Sequence, residues 1–523
     1  MKTKILLLFA MAFALLFATG CANEDTAQEN NPQENGTEGM TEFAVNDNTT
    51  RTTGIYSGSG VDFYWTEGDK LWVNNTAVTP PLIQSVRDNI SSQLAASGDT
   101  KTATAKFYFP GTFTAASYPV RYTGYGNSAG DKVTIANTQN QSSPNDGSHI
   151  GKDGDCGTAI ATKSGGRYNF TLNHEASYIT FVPYATLNFA SSVKVTKIKV
   201  TANRPIAGTY NFSDSGLDTS APTETSDSIV LNLTDATATT GFSIPSASTP
   251  SENAAIMVLA PGTYSTFTVE YTLYDTDTKV GGTITKEYSN LTFTAGKNKK
   301  VATNLAVTVH TSNEYYTWDA AVDQHYWKGY ENFQTFINGA SGTNYPQNSL
   351  DPRWYNTISY PNHASRSAKN CPNVNEIRWY VEYGDPYWED TFWSMGGHLY
   401  RGGTWLKKQS VIAAEHGTNI NAMKAAAPNG TDYTTAATDA QYENLTITHG
   451  KPSNINNYFY LPDLGCYQNG APYKVGDSGF YWSSTPSPWS STGACRMITG
   501  SGGVSVYDHG TNRPWGFRLW TAQ

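Results

Sequence analysis

The sequence predicts a mostly β protein, with antiparallel β-sandwich domains up to about residue 310 and an α+β domain from about residue 315 to the end. Three observations carry this reading. Short runs such as KTATAKFYF, SYITFVPYATLNF, VKVTKIKVTA, FTVEYTLYD and VATNLAVTV alternate apolar and polar residues between Gly, Pro, Asn and Asp turns, with little helical periodicity. The chain holds 33 Tyr and 46 Gly but is only 15% charged, which suits strands that present rings and hydroxyls on half-buried sheet surfaces. Of the 13 tryptophans all except Trp65 and Trp72 follow residue 315, where the first helical stretches also appear.

Taken in order, the chain opens with MKTKILLLFAMAFALLFATGC. Lys2 and Lys4 precede an apolar run from Ile5 to Ala18 and small residues before Cys21, which is the pattern of a secretory signal over 1–20. The Ala-Thr-Gly-Cys end resembles a bacterial lipobox, with Ala18 where that pattern prefers Leu. The resemblance implies lipidation at Cys21, and Glu24-Asp25 resembles the export tag of surface lipoproteins. Residues 21–50 are polar and Asn- and Glu-rich, so they are expected to be a tether that buries too little surface to order itself. No later stretch is long and apolar enough for a membrane span. The net charge of -9 leaves no basic footprint, which argues against a nucleic-acid partner. Cys156, Cys371, Cys466 and Cys495 have no metal-type spacing, so at most they form disulfides whose pairing the sequence leaves open.

From Arg51 onward the strands begin at once. Arg51-Thr52-Thr53 before VDFYWTEGDKLWV, then LAPGTYSTFTVEYTLYD, then YSNLTFTAGKNKKVATNLAV, resemble the fimbrillin family of surface pilins in order and spacing over about half the chain. The resemblance implies two transthyretin-like sandwiches, expected at 51–185 and 186–310, on a lipoprotein precursor of the outer membrane. It further implies proteolytic processing after Arg51 and partner subunits joined by donor-strand insertion, in which a donated strand pairs the open sheet edge.

The segment 315–523 changes character. NCPNVNEIRWYVEYGD places Pro372 at a helix start, with Val374, Ile377 and Val381 on one face. WLKKQSVIAAEHGTNINAMKAAAPNG predicts a second helical region that breaks at His416-Gly417. Short strands with glycine turns follow from Tyr458. YFYLPDLG, VGDSGFYWSST and NRPWGFRLW resemble the C-type-lectin-like fold, in particular its bacterial major-paralogous and variable-protein branch. By that resemblance Tyr481-Trp482-Ser483-Ser484 and Gly516-Phe517-Arg518-Leu519 are scaffold, and the residues between them form a binding face.

Three functions compete for residues 485–515. Calcium-mediated sugar binding needs a loop of paired hard-oxygen ligands, and neither Leu461-Pro462-Asp463 nor Trp388-Glu389-Asp390 supplies one. Catalysis is suggested by RGGTW, ACR and GFRL, which faintly resemble formylglycine-generating enzymes. That chemistry needs two active-site cysteines, and Cys495 has only Cys466 to serve with it. The dipeptide Asp508-His509 is expected to be a solvated turn. Recognition fits best. Between Ser478 and Arg518 there is no Lys, Glu or Gln, a bias resembling targets of diversity-generating retroelements. Tyr, Trp, Ser and Gly supply rigid contact area with adaptable hydrogen bonding.

Strand alternation in GVSVYDHG points Val504 and Val506 inward and Ser505 and Tyr507 outward. The expected ligand contacts are Trp489, Ser491, Thr492, Arg496, Ile498, Ser505, Tyr507, His509, Thr511 and Trp515. The expectation is a non-enzymatic fimbrial adhesin, at the pilus tip because the chain continues past Val309 into a head instead of ending in strands to donate. It has no cofactor or metal, and its ligand is a surface protein or glycan. A glycan-binding lipoprotein that never polymerises is the other class.

Overall fold

A computed structural model of the chain describes residues 36–45, 53–58, 60–233, 241–510 and 512–523. The fold is mostly β, with helices concentrated in the last 150 residues. The lipidation position Cys21 and the processing position Arg51 lie outside the described residues.

The first body is a nine-stranded sheet. The strands at the two ends of its order, Leu82–Gln84 and Arg87–Asp88, are separated in sequence only by Ser85 and Val86, so the sheet has to curl round its core. That core holds Phe43, Trp65, Phe107, Phe109, Tyr122 and Tyr168. The expected tether is corrected here. Met40–Val45 forms a strand inside this sheet, antiparallel to Lys106–Pro110 and parallel to Arg167–Phe170. The reason is local: TEFAV carries Phe43 and Val45 on one face, and Phe43 stacks on Tyr168 at 4.7 Å with its edge contacts to Phe109 and Phe113 at 4.9 and 5.3 Å. Five residues with that burial outweigh a polar neighbourhood.

The second body pairs a six-stranded sheet with a three-stranded one across a core of Ile179, Phe181, Ile198, Val200, Val269 and Tyr271. The boundary expected at 185/186 moves toward 175. Ser177–Tyr184 is the middle strand of the three-stranded sheet, between Ala255–Leu259 and Asn298–Asn304. Lys132–Ile135 and Thr138–Gln141 also cross over to pair with Ala207–Ser213 and Ser228–Leu233. The two bodies therefore share strands and are not separate beads on the chain.

The C-terminal domain is α+β. The helix Val374–Tyr383 buries Val374, Ile377, Tyr380 and Val381, and it begins with a capping box. Asn373 accepts the Glu376 N–H at 3.0 Å while the Glu376 carboxylate accepts the Asn373 N–H at 2.9 Å. The expected second helical region resolves into Gln409–Glu415 and Ile420–Ala425, broken at His416-Gly417 where Gly417 has a φ of +62°. Trp405 is not helical. It lies in the strand His398–Lys407, whose hairpin with Tyr387–Met395 comes between the helices, an element the sequence reading lacked.

A six-stranded sheet runs in the order Tyr315–Tyr316, Phe517–Arg518, Ser478–Pro486, Ala494–Gly500, Gly503–Tyr507, Tyr442–Asn444, so that the first and last strands of the domain are neighbours. Cys156, Cys371, Cys466 and Cys495 are all buried free thiols, so no disulfide forms among the described residues.

This domain is seated on the second body. Leu399 enters that body's core. The buried Asp275 carboxylate accepts the Leu399 N–H at 3.0 Å and faces His398 Nδ1 at 3.1 Å. Burial alone would raise the Asp275 pKa, but these hydrogen bonds hold it well below the usual carboxylate range.

Candidate binding face of the C-terminal domain

The strand Ser478–Pro486 is buried along its whole length. Trp482 donates its indole N–H to the Tyr316 carbonyl at 2.7 Å and stacks on Phe517 at 4.2 Å. This half of SGFYWSSTPSPWSS is core. The next two strands present one open face each. Ala494–Gly500 and Gly503–Tyr507 pair so that Arg496 stands opposite Tyr507 and Ile498 opposite Ser505, while Met497, Val504 and Val506 point inward. The tight turn between them requires glycine at 503, where φ is +132° and a Cβ would stand 2.4 Å from the Asn444 carbonyl oxygen.

Side chains on the open face hold one another. The Tyr507 hydroxyl donates to Glu443 Oε1 at 2.6 Å, which raises the phenol's pKa. The Arg496 guanidinium lies 5.1 Å from the Tyr507 ring centroid and donates from Nη1 to the His509 carbonyl at 3.1 Å. Desolvation lowers the Arg496 pKa. His509 stacks flat on Trp489, at 5.2 Å and 8° between planes. Glu443, Tyr507, Arg496, His509 and Trp489 thus form a continuous row. Beside it a groove of about 290 Å³ is lined by Ile498, Ser505, Glu443, Leu445, Lys474 and the Ser501-Gly502 turn.

The structure brings together Trp489, Arg496, Ile498, Ser505, Tyr507 and His509. Trp489 is 47% exposed and available for contact. Ser491 is exposed on the adjoining loop and Thr492 is half-buried, its hydroxyl 3.1 Å from that of Ser490. Trp515 is half-buried, packing against the domain core 6.1 Å from the Phe517 ring while part of its surface stays open. Thr511 lies outside the described residues. Asp508 also departs from the expected solvated turn. It is 1% exposed, because its Oδ2 accepts the Ala440 N–H at 2.9 Å and the Trp489 indole N–H at 3.1 Å.

Two groups of residues went unforeseen. Glu443 and Asp439 reach the face from the segment around the edge strand Tyr442–Asn444, more than 60 positions upstream, and no local pattern announces that pairing. Arg513 is fully buried and braces the loops beneath. Its Nε donates to the Gly493 carbonyl at 2.7 Å, its Nη1 to the Asn356 and Ile358 carbonyls at 3.0 and 2.8 Å, and its guanidinium sits 4.2 Å over the Trp318 ring. Burial lowers its pKa to about 10, still leaving it charged at neutral pH.

No protein-family model matches the chain, and neither does any curated protein. Among solved structures it is similar to a "putative cell adhesion protein" of Bacteroides ovatus, at 11% identity over 50% of this chain and 91% of that one, with a TM-score of 0.30. A second protein of that description, from Bacteroides uniformis, matches at 13% identity over 51% of this chain and 92% of that one, with a TM-score of 0.29. A fimbrial protein of Bacteroides ovatus matches at 13% identity over 53% of this chain and 52% of that one, with a TM-score of 0.19. These likenesses span about half of the chain.

Proposed function

We propose that this chain is a cell-surface fimbrial adhesin: a lipidated precursor, processed after Arg51, whose C-terminal domain binds an extracellular protein or glycan. One observation carries the reading. Met40–Val45 sits inside the first sheet with a partner on each side, and Arg51 follows it by six residues. A cut there frees an interior strand. Its loss exposes two rows of backbone donors and acceptors and a slot shaped for Phe43, which a strand from a neighbouring subunit satisfies. The sequence features of a secretory signal and lipobox supply the route to the surface.

The open face of the C-terminal domain supports recognition as its task. It combines a 47% exposed Trp489, Tyr507, Ser505 and a groove with no deep cavity, in a setting where surrounding backbone is braced by buried Arg513. The transthyretin-like and C-type-lectin-like assignments, the tip position and a retroelement-diversified face belong to the same proposal.

The test is mass spectrometry of the protein sheared from intact cells. A mature N-terminus at Thr52 is expected. A surface protein that keeps lipidated Cys21 as its only N-terminus overturns the fimbrial reading and leaves a glycan-binding lipoprotein. Immunogold labelling of fibres then separates tip from stalk, with label confined to fibre ends expected.

A further inference from the structure

We propose that the second body carries a binding site for a compact carboxylate ligand, the size of one sugar acid or one C-terminal amino acid, held by Arg204 and Tyr210. Both residues line a cavity of about 380 Å³ between the strand Ala207–Ser213, its hairpin partner Gly216–Ser226 and the Ala260-Pro261 connection. No lining residue belongs to the C-terminal domain, so the site goes beyond the recognition proposed for the open face. Its volume is at the low end for small-molecule sites, which run from about 300 to 1,000 Å³.

Two unpartnered groups line this cavity. Tyr210 is 1% exposed, and its hydroxyl has no hydrogen-bond partner. A buried hydroxyl left in that state is unfavourable by about 1–3 kcal/mol. Other buried tyrosines of the same core show the contrast. The Tyr264 hydroxyl donates to the Ala260 carbonyl at 2.8 Å, and the Tyr271 hydroxyl meets Thr303 Oγ1 at 2.8 Å. Burial raises the Tyr210 pKa against the opposing charge of Arg204, so the group is a neutral O–H donor at physiological pH.

Arg204 supplies the charge. Its Nε donates to the Thr263 carbonyl at 3.1 Å, and its guanidinium lies 4.8 Å from the Tyr264 ring centroid, across Gly262, where a Cβ would overlap it. Held at these points, the guanidinium keeps Nη1 and Nη2 without a hydrogen-bond or ion-pair partner among the described residues. A planar fork with both terminal nitrogens free grips a carboxylate through its two oxygens, and the Tyr210 O–H adds a further donor. Arg204 is the one cation in the lining, so the second charge of a phosphate would go unmet. Pro205, Pro222 and Pro261 make rigid apolar walls, because their rings fix φ, and Thr225 adds an exposed hydroxyl. A larger groove on the same body lacks these features. It has a volume of about 760 Å³ and no charged residue in its lining, and its Asn140 and Asn232 side chains already bond to each other at 2.9 Å.

The test is ligand-observed NMR titration of the full chain with glucuronate and with N-acetylalanine, against glucose, N-acetylalanine amide and inorganic phosphate as controls. One or both carboxylates are expected to bind while the controls do not, and which one binds tells a sugar acid from a peptide terminus. Arg204→Gln is at an exposed position and should melt like the parent while binding about tenfold more weakly or worse. Tyr210→Phe keeps the ring and removes the orphaned hydroxyl, so it should melt at or above the parent temperature yet bind about threefold more weakly. A purely structural hydroxyl would not give that split. No carboxylate binding up to about 20 mM, equal binding of a control, or binding unchanged by either substitution overturns the proposal.

Discussion

The strand Met40–Val45 and the strand Gly503–Tyr507 both lie inside multi-stranded sheets, and they differ in what covers them. Phe43, Ala44 and Val45 are consecutive and all buried, so both faces of the first strand are packed. In the second strand Val504 and Val506 are buried while Ser505 and Tyr507 are half open. A strand buried on both faces offers nothing to a ligand, yet its removal leaves a slot only another strand fills. A strand buried on one face stays in place when its outward residues change. On the proposed function, assembly would fall to the first kind of strand and recognition to the second.

Substitution separates the two most strongly at Phe43. Phe43→Ala removes three aromatic contacts from a closed core and is expected to cost about 3–5 kcal/mol, read as a lower denaturation midpoint of the full chain. If Phe43→Ala is as benign as a surface change, Met40–Val45 does not hold the first body together.

The next effect is one of pH. Asp463 is buried beneath the open face, with its oxygens accepting from Trp388 Nε1 at 2.8 Å and Thr499 Oγ1 at 3.3 Å, and burial raises its pKa to about 7. The folded state thus holds a proton that the unfolded chain releases near pH 4. The associated stability is full below that pH and is lost as pH rises toward 7, by up to about 4 kcal/mol. Urea titrations at pH 4.5 and 7.5 should show that Asp463→Asn flattens this slope relative to the parent, after the shared contribution of other groups cancels.

On the open face the effects shrink. Tyr507→Phe loses the hydroxyl bond to Glu443 at the surface and should cost about 1 kcal/mol or less in melting experiments. Ser491→Ala, on an exposed loop residue, should stay within about 0.5 kcal/mol. A large loss of stability from either would mean that the face is part of the core and not a surface free to vary.

How much of this was legible in the sequence follows from the range of the forces involved. Alternation in GVSVYDHG, the face of Val374, Ile377 and Val381, and the break at His416-Gly417 are local, and each is present as read. What escaped was non-local. Met40–Val45 stands in a polar stretch and is a strand only because Phe107 and Tyr168, both far along the chain, flank it. The 185/186 boundary failed because Ser177–Tyr184 takes its partners from residues 255–259 and 298–304. Asp508 looked exposed because the groups that bury it, Ala440 and Trp489, are not its neighbours in sequence.

The most direct test of the assembly account uses a chain that starts at Thr52 together with a fluorescent peptide spanning residues 36–50. The truncated chain is predicted to melt below the full chain, to bind the peptide, and to recover stability on doing so, while a Phe43→Ala peptide binds much more weakly. A truncated chain that melts like the full one and ignores the peptide would contradict the claim that Met40–Val45 occupies a slot made for an exchangeable strand.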